Sequence, residues 1–197
     1  MISHKHQFIF IHIPKTGGSS VEAALQDPSC DWLANQWDKR VPHTTLNHLT
    51  LQEMIDYGFL DIETASTYFK FCFVRNPWDR AVSEVCYLPQ VFAGENVPEK
   101  LENLLTYEKY GNHVRPQIDF IDNSHNLEVD FIGRFERLEE DLNFIWSILG
   151  VSQKPIPHNL KTNHEPYWTY YNEGLCRRMS EKYEQDILRF DYSFHQT

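Results

Sequence analysis

Residues 8–20 read FIFIHIPKTGGSS, and this stretch decides the fold. Its first half is aromatic and β-branched, which predicts a buried strand over residues 7–13. Its second half has the composition of a turn that opens a helix. Glycines at positions 17 and 18 let the backbone approach a ligand closely, and the amides of residues 16–20 can converge on one anion at a positive helix end. With the charge of Lys15 added, the stretch predicts an anion-binding loop between a strand and a helix.

A second unit of the same kind follows at residues 69–83, where FKFCFVR is followed by NPWDRAVS. Its first seven residues predict another buried strand. Asn76 is a good N-cap, Pro77 falls at the first helical position and Asp79 at the third. We therefore expect a helix from there to about residue 88.

Arg75 and Ser83 are the residues of this unit that can carry chemistry. Arg75 stands at the carboxyl edge of the strand, where its planar guanidinium suits a phosphate, and the Ser83 hydroxyl can donate to a further oxygen. Two anion sites at neighbouring strand ends suit a ligand with two separated anionic groups. The alternative is that Arg80 forms a surface ion pair with Asp79 or Glu84, while Ser83 bonds back within its own helix.

A third aromatic run, at residues 129–135, precedes an apolar helical face that ends at Gly150. Residues 50–57, 98–105 and 172–190 also predict helices, the first of them from a capping box. The alternation of strands and helices predicts one α/β domain over residues 1–197. We expect three layers, with a mostly parallel central sheet flanked by helices. Ligands of such sheets bind beyond the carboxyl ends of the strands.

The composition restricts the classes of partner. The 197 residues include 18 Lys and Arg against 28 Asp and Glu, a net charge of −10, so general nucleic-acid or anionic-membrane binding is excluded. No apolar run is long enough for a signal-peptide core or a membrane span, and we expect a cytoplasmic protein or a soluble form of an anchored enzyme. The 4 cysteines are isolated, and neither His4 with His6 nor His158 with His164 has a third ligand at useful spacing, so no metal site is expected.

The order of residues in the glycine-containing turn separates it from the loop of P-loop nucleotidases. In G-x-x-x-x-G-K-[ST] the lysine follows the second glycine, whereas Lys15 precedes the glycine pair. The first two strands end at residues 12–13 and at Arg75, without the aspartate that would hold magnesium. Two alternatives stay open at this point: a magnesium-dependent nucleotide kinase, and a module that binds a nucleotide or a glycan without catalysis.

Together, HIPKTGGSS at residues 12–20 and FVRNPWDRAVS at residues 73–83 resemble the 5′-phosphosulfate and 3′-phosphate motifs of sulfotransferases that use 3′-phosphoadenosine 5′-phosphosulfate (PAPS), above all the carbohydrate sulfotransferases. The resemblance covers nearly the whole chain, continuing through residues 48–50, 115–117, 131–141 and 183–192. It implies a P-loop-like fold and transfer of a sulfuryl group from PAPS to a hydroxyl, with a saccharide as the expected acceptor. The acidic chain favours a neutral glycan or a small alcohol over a densely sulfated polysaccharide.

The same resemblance implies the contacts with the donor. They are Lys15, Thr16, Gly17, Gly18, Ser19 and Ser20 for the 5′-phosphosulfate, and Arg75 and Ser83 for the 3′-phosphate. Lys161 and Thr162 lie in the stretch that matches the family loop closing over the nucleotide. Arg134 would lie near the adenine, or else form an ion pair with Glu136 or Glu139.

The chemistry of sulfuryl transfer assigns two further roles. By analogy with phosphoryl transfer, charge accumulates on the leaving phosphate, so Lys15 would act as the electrostatic catalyst. A neutral histidine suits removal of the acceptor proton near pH 7. His48 fits the family position best, and His43 is its rival. The alternative for either histidine is that it is a solvated loop residue without a catalytic role. His113 and residues 115–117 either line the acceptor side or serve packing.

Overall fold

The expected sheet is present in the computed structural model, which describes residues 1–25, 30–31, 33, 36–41, 44–107, 111–152, 154–156 and 164–195. Its strands are β1 (Ile2–Ser3), β2 (Phe8–Ile11), β3 (Cys30–Asp31), β4 (Phe69–Val74) and β5 (Phe131–Arg134). Within the described residues their order is β3-β1-β2-β4-β5. β2, β4 and β5 pair in parallel, while β1 runs antiparallel to both of its neighbours. The sheet is therefore mostly parallel, as the sequence predicts.

Helices connect the strands and cover both faces of the sheet. They are α1 (Gly18–Leu25), α2 (Leu51–Asp56), α3 (Ile62–Thr67), α4 (Pro77–Tyr87), α5 (Val97–Leu105), α6 (Gly111–Val114), α7 (Leu138–Leu149), α8 (Glu173–Lys182) and α9 (Glu184–Phe190). Short 3-10 turns lie at Leu46–His48, Ile118–Phe120, Phe135–Arg137 and Tyr167–Tyr170. In the ranges given above, no helix combines the length and the apolar character that a membrane crossing requires.

Side chains of the central strands alternate between two hydrophobic cores. One core contains Phe8, Phe10, Phe71 and Phe73, and helices α1 and α7 pack on it. The other contains Ile9, Ile11, Cys72 and Val74, and helices α4, α5 and α8 pack on it. Strands of a parallel sheet are buried on both faces, which is why β2 is continuously apolar and β4 is apolar apart from Lys70. The three-layer arrangement follows from this double burial.

The local signals at the helix ends act as predicted. Thr50 and Glu53 form the capping box, since the Glu53 amide donates to Thr50 Oγ1 (3.0 Å) and the Thr50 amide to Glu53 Oε2 (2.9 Å). Asn76 Oδ1 accepts from the Trp78 amide (3.1 Å), and Gly150 ends α7 with φ of 61°. Because Asn76 follows β4 at once, the first turns of α4 stand at the carboxyl edge of the sheet.

Some expected boundaries are wrong. The strands predicted over residues 7–13, 69–75 and 129–135 are each shorter, because the ladder ends where the chain turns into loops. The helix predicted over residues 172–190 is two helices that part at Tyr183, whose buried ring and hydroxyl bond to the Val114 carbonyl (3.1 Å) accompany a backbone of φ −112°, ψ 25°. The sequence analysis missed β1, β3, α3 and α6, which are too short to show periodicity.

Gly133→Ala tests how tightly β5 packs on the aromatic core. A Cβ at Gly133 would lie 2.5 Å from the Phe73 ring, so the ring or the strand must shift. We expect a loss of about 1–3 kcal/mol in the free energy of unfolding, measured by urea denaturation. Gly111→Ala is the matched control, since a Cβ there meets nothing within 4 Å and its stability should stay within about 1 kcal/mol of wild type. Equal losses in both variants would contradict the packing argument.

Candidate functional site

A cavity of about 560 Å³ opens at the carboxyl ends of β2 and β4. Its walls come from the turn at residues 14–18, called the glycine loop below, from α1 and α4, and from the segments around His48 and His113. It is lined by His12, Pro14, Lys15, Gly17, Gly18, Ser19, Ser20, His48, Arg75, Asp79, Ser83, Tyr87, His113, Phe135, Leu138 and His164. The cavity therefore brings together most of the residues that the sequence predicts for a donor site.

The glycine loop requires its two glycines because of its backbone conformation and its close packing. Gly17 has φ of +84°, and a Cβ there would lie 3.0 Å from the Leu138 side chain. A Cβ at Gly18 would lie 2.0 Å from the His12 ring. Helix α1 begins at Gly18, and the first amides of a helix have no partner within it. This end of α1 is thus suited to an anion.

The hydroxyl groups that follow Lys15 divide into two kinds. Ser19 and Ser20 line the cavity and can donate to a ligand. Thr16 is fully buried, and its hydroxyl donates to the Ile13 carbonyl (2.9 Å). The Thr16 side chain therefore holds the turn, and Thr16 is not among the residues that line the cavity.

Lys15 carries the ammonium of the glycine loop into the cavity from a left-handed backbone conformation, with φ of 66°. Its Nζ lies 3.7 Å from the centroid of the Tyr87 ring, which the sequence analysis did not single out. Burial lowers the pKa of Lys15 to about 8; the Glu84 carboxylate opposes this change, and the charge of Arg75 adds to it. Lys15 is therefore charged at neutral pH and loses its charge as the pH rises through about 8.

Arg75 contacts the glycine loop directly. Its Nη1 donates to the Lys15 carbonyl (3.1 Å), its Nε donates to Asp79 Oδ2 (2.8 Å), and its guanidinium stacks on the Phe135 ring, 4.1 Å from the centroid. Ser83 is buried on the cavity wall. The two predicted anion sites therefore adjoin one another, and Asp79 is a carboxylate at the site that the sequence analysis placed only as a helix-start residue.

Arg80 does not form the surface ion pair that the sequence left open. Its side chain is 2% exposed, and its guanidinium donates to the carbonyls of Pro14 (3.0 Å), Arg115 (2.9 Å) and His113 (3.2 Å). Position 80 lies on the inward face of α4, where carbonyls of two chain segments converge, one in the glycine loop and one at the end of α6. Arg80 therefore holds the backbone of the cavity wall in place from the protein interior.

His48 reaches the cavity from the 3-10 turn Leu46–His48. Its Nδ1 donates to the His12 carbonyl (3.1 Å), so Nδ1 carries the ring proton, and Nε2 accepts from Asn47 Nδ2 (3.1 Å). Burial, followed by the neighbouring His12 and His113, lowers the pKa of His48 well below its usual range. His48 is therefore neutral at pH 7, with Nε2 as its proton-accepting nitrogen.

Two further histidines flank His48 with their rings. The ring centroid of His12 lies 4.6 Å from that of His48, and the centroid of His113 lies 5.1 Å from it. His12 Nδ1 donates to Glu22 (3.0 Å), and His113 Nδ1 donates to Glu84 (3.0 Å). The sequence analysis assigned no chemistry to His12, although its place directly before the glycine loop is a usable signal. For His113 only a family match pointed to the site, since Glu84 lies 29 residues away.

Other predicted residues lie elsewhere or outside the described part of the chain. Arg134 is the last residue of β5, where its Nη2 donates to the Phe190 carbonyl (2.5 Å) and its guanidinium lies 4.6 Å from the Tyr192 ring centroid. His43, Lys161 and Thr162 fall outside the described residues. Among the described residues, no group of three or more His, Cys, Asp or Glu side chains is arranged so that it could hold a metal ion.

Comparisons of this sequence with known proteins give matches over nearly the whole chain. A sequence model described as "Sulfotransferase family" matches residues 1–87 and 96–193. Carbohydrate sulfotransferase 8 of Homo sapiens is 22% identical over 243 positions, which cover 98% of this chain and 55% of that protein. Carbohydrate sulfotransferase 9 of Homo sapiens is 23% identical over 221 positions, covering 95% of this chain and 48% of that protein. The chain thus spans about half the length of these curated relatives. No solved structure gives a significant match.

The charge on Lys15 can be measured without any assumption about the ligand. Competitive labelling of amines with acetic anhydride over a series of pH values should give Lys15 a pKa of about 8, against about 10.4 for a lysine in a reference peptide. Any anion affinity that depends on the Lys15 charge should be fully present below this pKa and should fall as the pH rises through it. A reactivity profile like that of the reference peptide would show that Lys15 is not desolvated in the cavity.

Proposed function

Because this chain belongs to the sulfotransferase family, we propose that it transfers a sulfuryl group from PAPS to a hydroxyl group of a carbohydrate. The observation that carries the proposal is the joining of two anion-binding elements in one cavity, where Arg75 Nη1 bonds the Lys15 carbonyl at 3.1 Å. A donor with a 5′-phosphosulfate and a 3′-phosphate has two anionic groups at a short fixed separation. The cavity volume of about 560 Å³ is in the range of nucleotide sites.

The proposed donor contacts follow from the walls of the cavity. The 5′ group would bind the amides at the start of α1, with Lys15 and the hydroxyls of Ser19 and Ser20. The 3′-phosphate would bind Arg75 and Ser83. One N–H group of the Arg75 guanidinium, Nε, already donates to Asp79. The segment with Lys161 and Thr162 remains the proposed cover of the nucleotide. Arg134 does not line the cavity and contacts Phe190 and Tyr192 instead, so its proposed place near the adenine has no support from these contacts.

The proposed chemistry is an in-line transfer in which the acceptor oxygen bonds to sulfur as the bond from sulfur to the phosphate oxygen breaks. Negative charge grows on the leaving phosphate, and the Lys15 ammonium, held in a poorly solvated place over Tyr87, would stabilise it. The acceptor proton would move to His48 Nε2, the nitrogen that its hydrogen bond to His12 leaves unprotonated, once the acceptor hydroxyl replaces Asn47 Nδ2 as the donor to that nitrogen. His43 stays a rival for this role.

The acceptor is proposed from the relatives. The two human relatives are named as carbohydrate sulfotransferases, and the match extends over nearly the whole of this chain. The net charge of −10 favours a neutral glycan over a densely sulfated one. Of the alternatives, the magnesium-dependent kinase loses its support once the family is known, and a binding module without catalysis remains as the outcome that would contradict the proposal.

Calorimetric titration without magnesium tests the donor site. We expect 3′-phosphoadenosine 5′-phosphate to bind more tightly than adenosine 5′-phosphate or ATP, because only the bisphosphate fills both anion sites. Arg75→Ala should weaken the bisphosphate by about tenfold or more, the scale of a lost charge-assisted bond, and should affect the monophosphate less. Arg177→Ala, which removes an exposed arginine paired with Glu181, is the matched control. A preference for ATP, or equal affinity for both adenosine phosphates, would refute the two-site donor.

A comparison of His48→Gln with His43→Gln identifies the base. With the best acceptor from a panel of saccharides, His48→Gln should lower kcat by about 10²–10⁴-fold and leave the affinity for the bisphosphate unchanged, since proton removal is lost and donor contacts are not. His43→Gln should keep most of the activity. The opposite ranking would assign the base to His43, and full activity in both variants would remove histidine from this step.

A further inference from the structure

Three imidazole rings stand in a row along one wall of the cavity, and each end of the row is held by a carboxylate. The order is Glu22, His12, His48, His113, Glu84, called the histidine row below. The rings are 4.6 and 5.1 Å apart by centroid, with interplanar angles of 69° and 77°. Five residues from separate parts of the chain thus meet in one line of ionisable groups, with the proposed base at its centre.

The Glu84 end of the histidine row is the more tightly built. Glu84 is 1% exposed, and both of its carboxylate oxygens accept from His113 Nδ1, at 3.0 and 3.1 Å. The backbone of His113 is fixed as well, because its carbonyl accepts from Arg80 Nη2 (3.2 Å). A carboxylate is costly to bury without a partner, so Glu84 and His113 depend on one another for their positions.

Glu84 also lies close to residues of the proposed donor site. It lies in α4 directly after Ser83 and one turn after Arg80, the residue that binds the Pro14 carbonyl of the glycine loop. Its negative charge raises the pKa of Lys15 against the lowering effect of burial. One buried carboxylate therefore influences both proposed catalytic groups, His48 through His113 and Lys15 through space.

Taking the proposed function as its premise, we propose that Glu84 is a positioning residue for proton transfer: it fixes His113 against His48 and balances the positive charge that His48 gains. In the reaction the acceptor O–H bond breaks and its proton moves to His48 Nε2. The acceptor oxygen bonds to sulfur as the bond from sulfur to the 5′-phosphate oxygen breaks, and 3′-phosphoadenosine 5′-phosphate leaves. The imidazolium so formed lies in a poorly solvated wall. A fixed negative charge one ring away stabilises it without contact with the substrate.

The groups around His48 define the pH dependence. His12 faces it from the end of β2, His113 from α6, and Arg80 from α4, and all three disfavour its charged form. The carboxylates of the histidine row are Glu22 on α1, bonded to His12, and Glu84 on α4, bonded to His113. Burial would raise the pKa of Glu22, but the hydrogen bond and charge of His12 outweigh it, so the pKa is lowered and Glu22 stays ionised.

Glu84→Gln removes the charge and keeps an oxygen that can accept from His113 Nδ1. We expect kcat to fall by about 10- to 100-fold, the scale at which outer partners of functional groups act, with KM for the acceptor nearly unchanged. Both limbs of the pH profile of kcat should move to lower pH. The acidic limb moves because His48 binds a proton less readily, and the alkaline limb moves because Lys15 loses the charge that raises its pKa. Glu84→Asp keeps the charge and should retain the wild-type position of both limbs.

Asp130→Asn is the matched control, because Asp130 pairs with Lys70 at the amino end of β4, away from the cavity. It should leave the pH profile unchanged. A folded Glu84→Gln with wild-type kcat and pH profile would overturn the inference while wild-type turnover upholds the proposed function. Absence of transfer by the wild type would instead overturn the proposed function.

A second measurement needs no variant and no substrate. Long-range ¹H–¹⁵N spectra of the histidine rings in the unmodified protein report which nitrogen carries the proton. We expect the Nδ1–H tautomer for both His48 and His113 at neutral pH, as their bonds to the His12 carbonyl and to Glu84 require. An Nε2–H tautomer at His113 would show that Glu84 does not hold the ring, and would overturn the inference even if Glu84→Gln failed to fold.

Discussion

The buried guanidinium of Arg80 donates to carbonyls from two segments of the chain that lie far apart in sequence. One bond reaches Pro14 in the glycine loop, and two reach His113 and Arg115. A guanidinium has five donors in a rigid plane, so it can satisfy several carbonyls at fixed angles where an apolar residue could satisfy none. Arg80 therefore links the glycine loop to the His113 end of the histidine row, although its own side chain does not line the cavity.

A second buried network extends this support to the opposite end of the chain. The side-chain amide of Gln117 accepts from the Arg75 backbone amide (2.8 Å) and donates to its carbonyl (2.9 Å). Asp186 on α9 accepts in turn from the backbone amides of Gln117 and Ile118, both at 2.8 Å. Burial raises the pKa of Asp186, and the bonds from the Gln117 and Ile118 amides oppose that change. Through this chain of bonds the C-terminal helix fixes the backbone of a residue in the donor site.

What the sequence predicts well is chemistry that neighbours in the chain determine. The capping residues Thr50 and Asn76, the glycine loop and the position of Arg75 at a strand end all follow from local patterns, and the structure places them as expected. What the sequence does not reveal is a hydrogen-bond partner that lies far away along the chain. Arg80 reads as a surface residue because Asp79 and Glu84 are near it in sequence, whereas the carbonyls that it binds lie 33 to 66 residues away. The pairing of Glu84 with His113 is hidden for the same reason.

Charge in the cavity is arranged so that an acidic protein can bind an anion. Arg75 is neutralised by Asp79 and Lys15 is covered by the Tyr87 ring, so neither cation is left to draw arbitrary anions from solution. The amides at the start of α1 carry no net charge and have no counter-ion to displace, which makes them the part of the site where an anion enters without competition. An anion at Arg75 must share the guanidinium with Asp79. We therefore expect affinity to come first from the glycine loop, and selection for a second anionic group to come from Arg75, because only a correctly spaced group repays the loss of its internal ion pair.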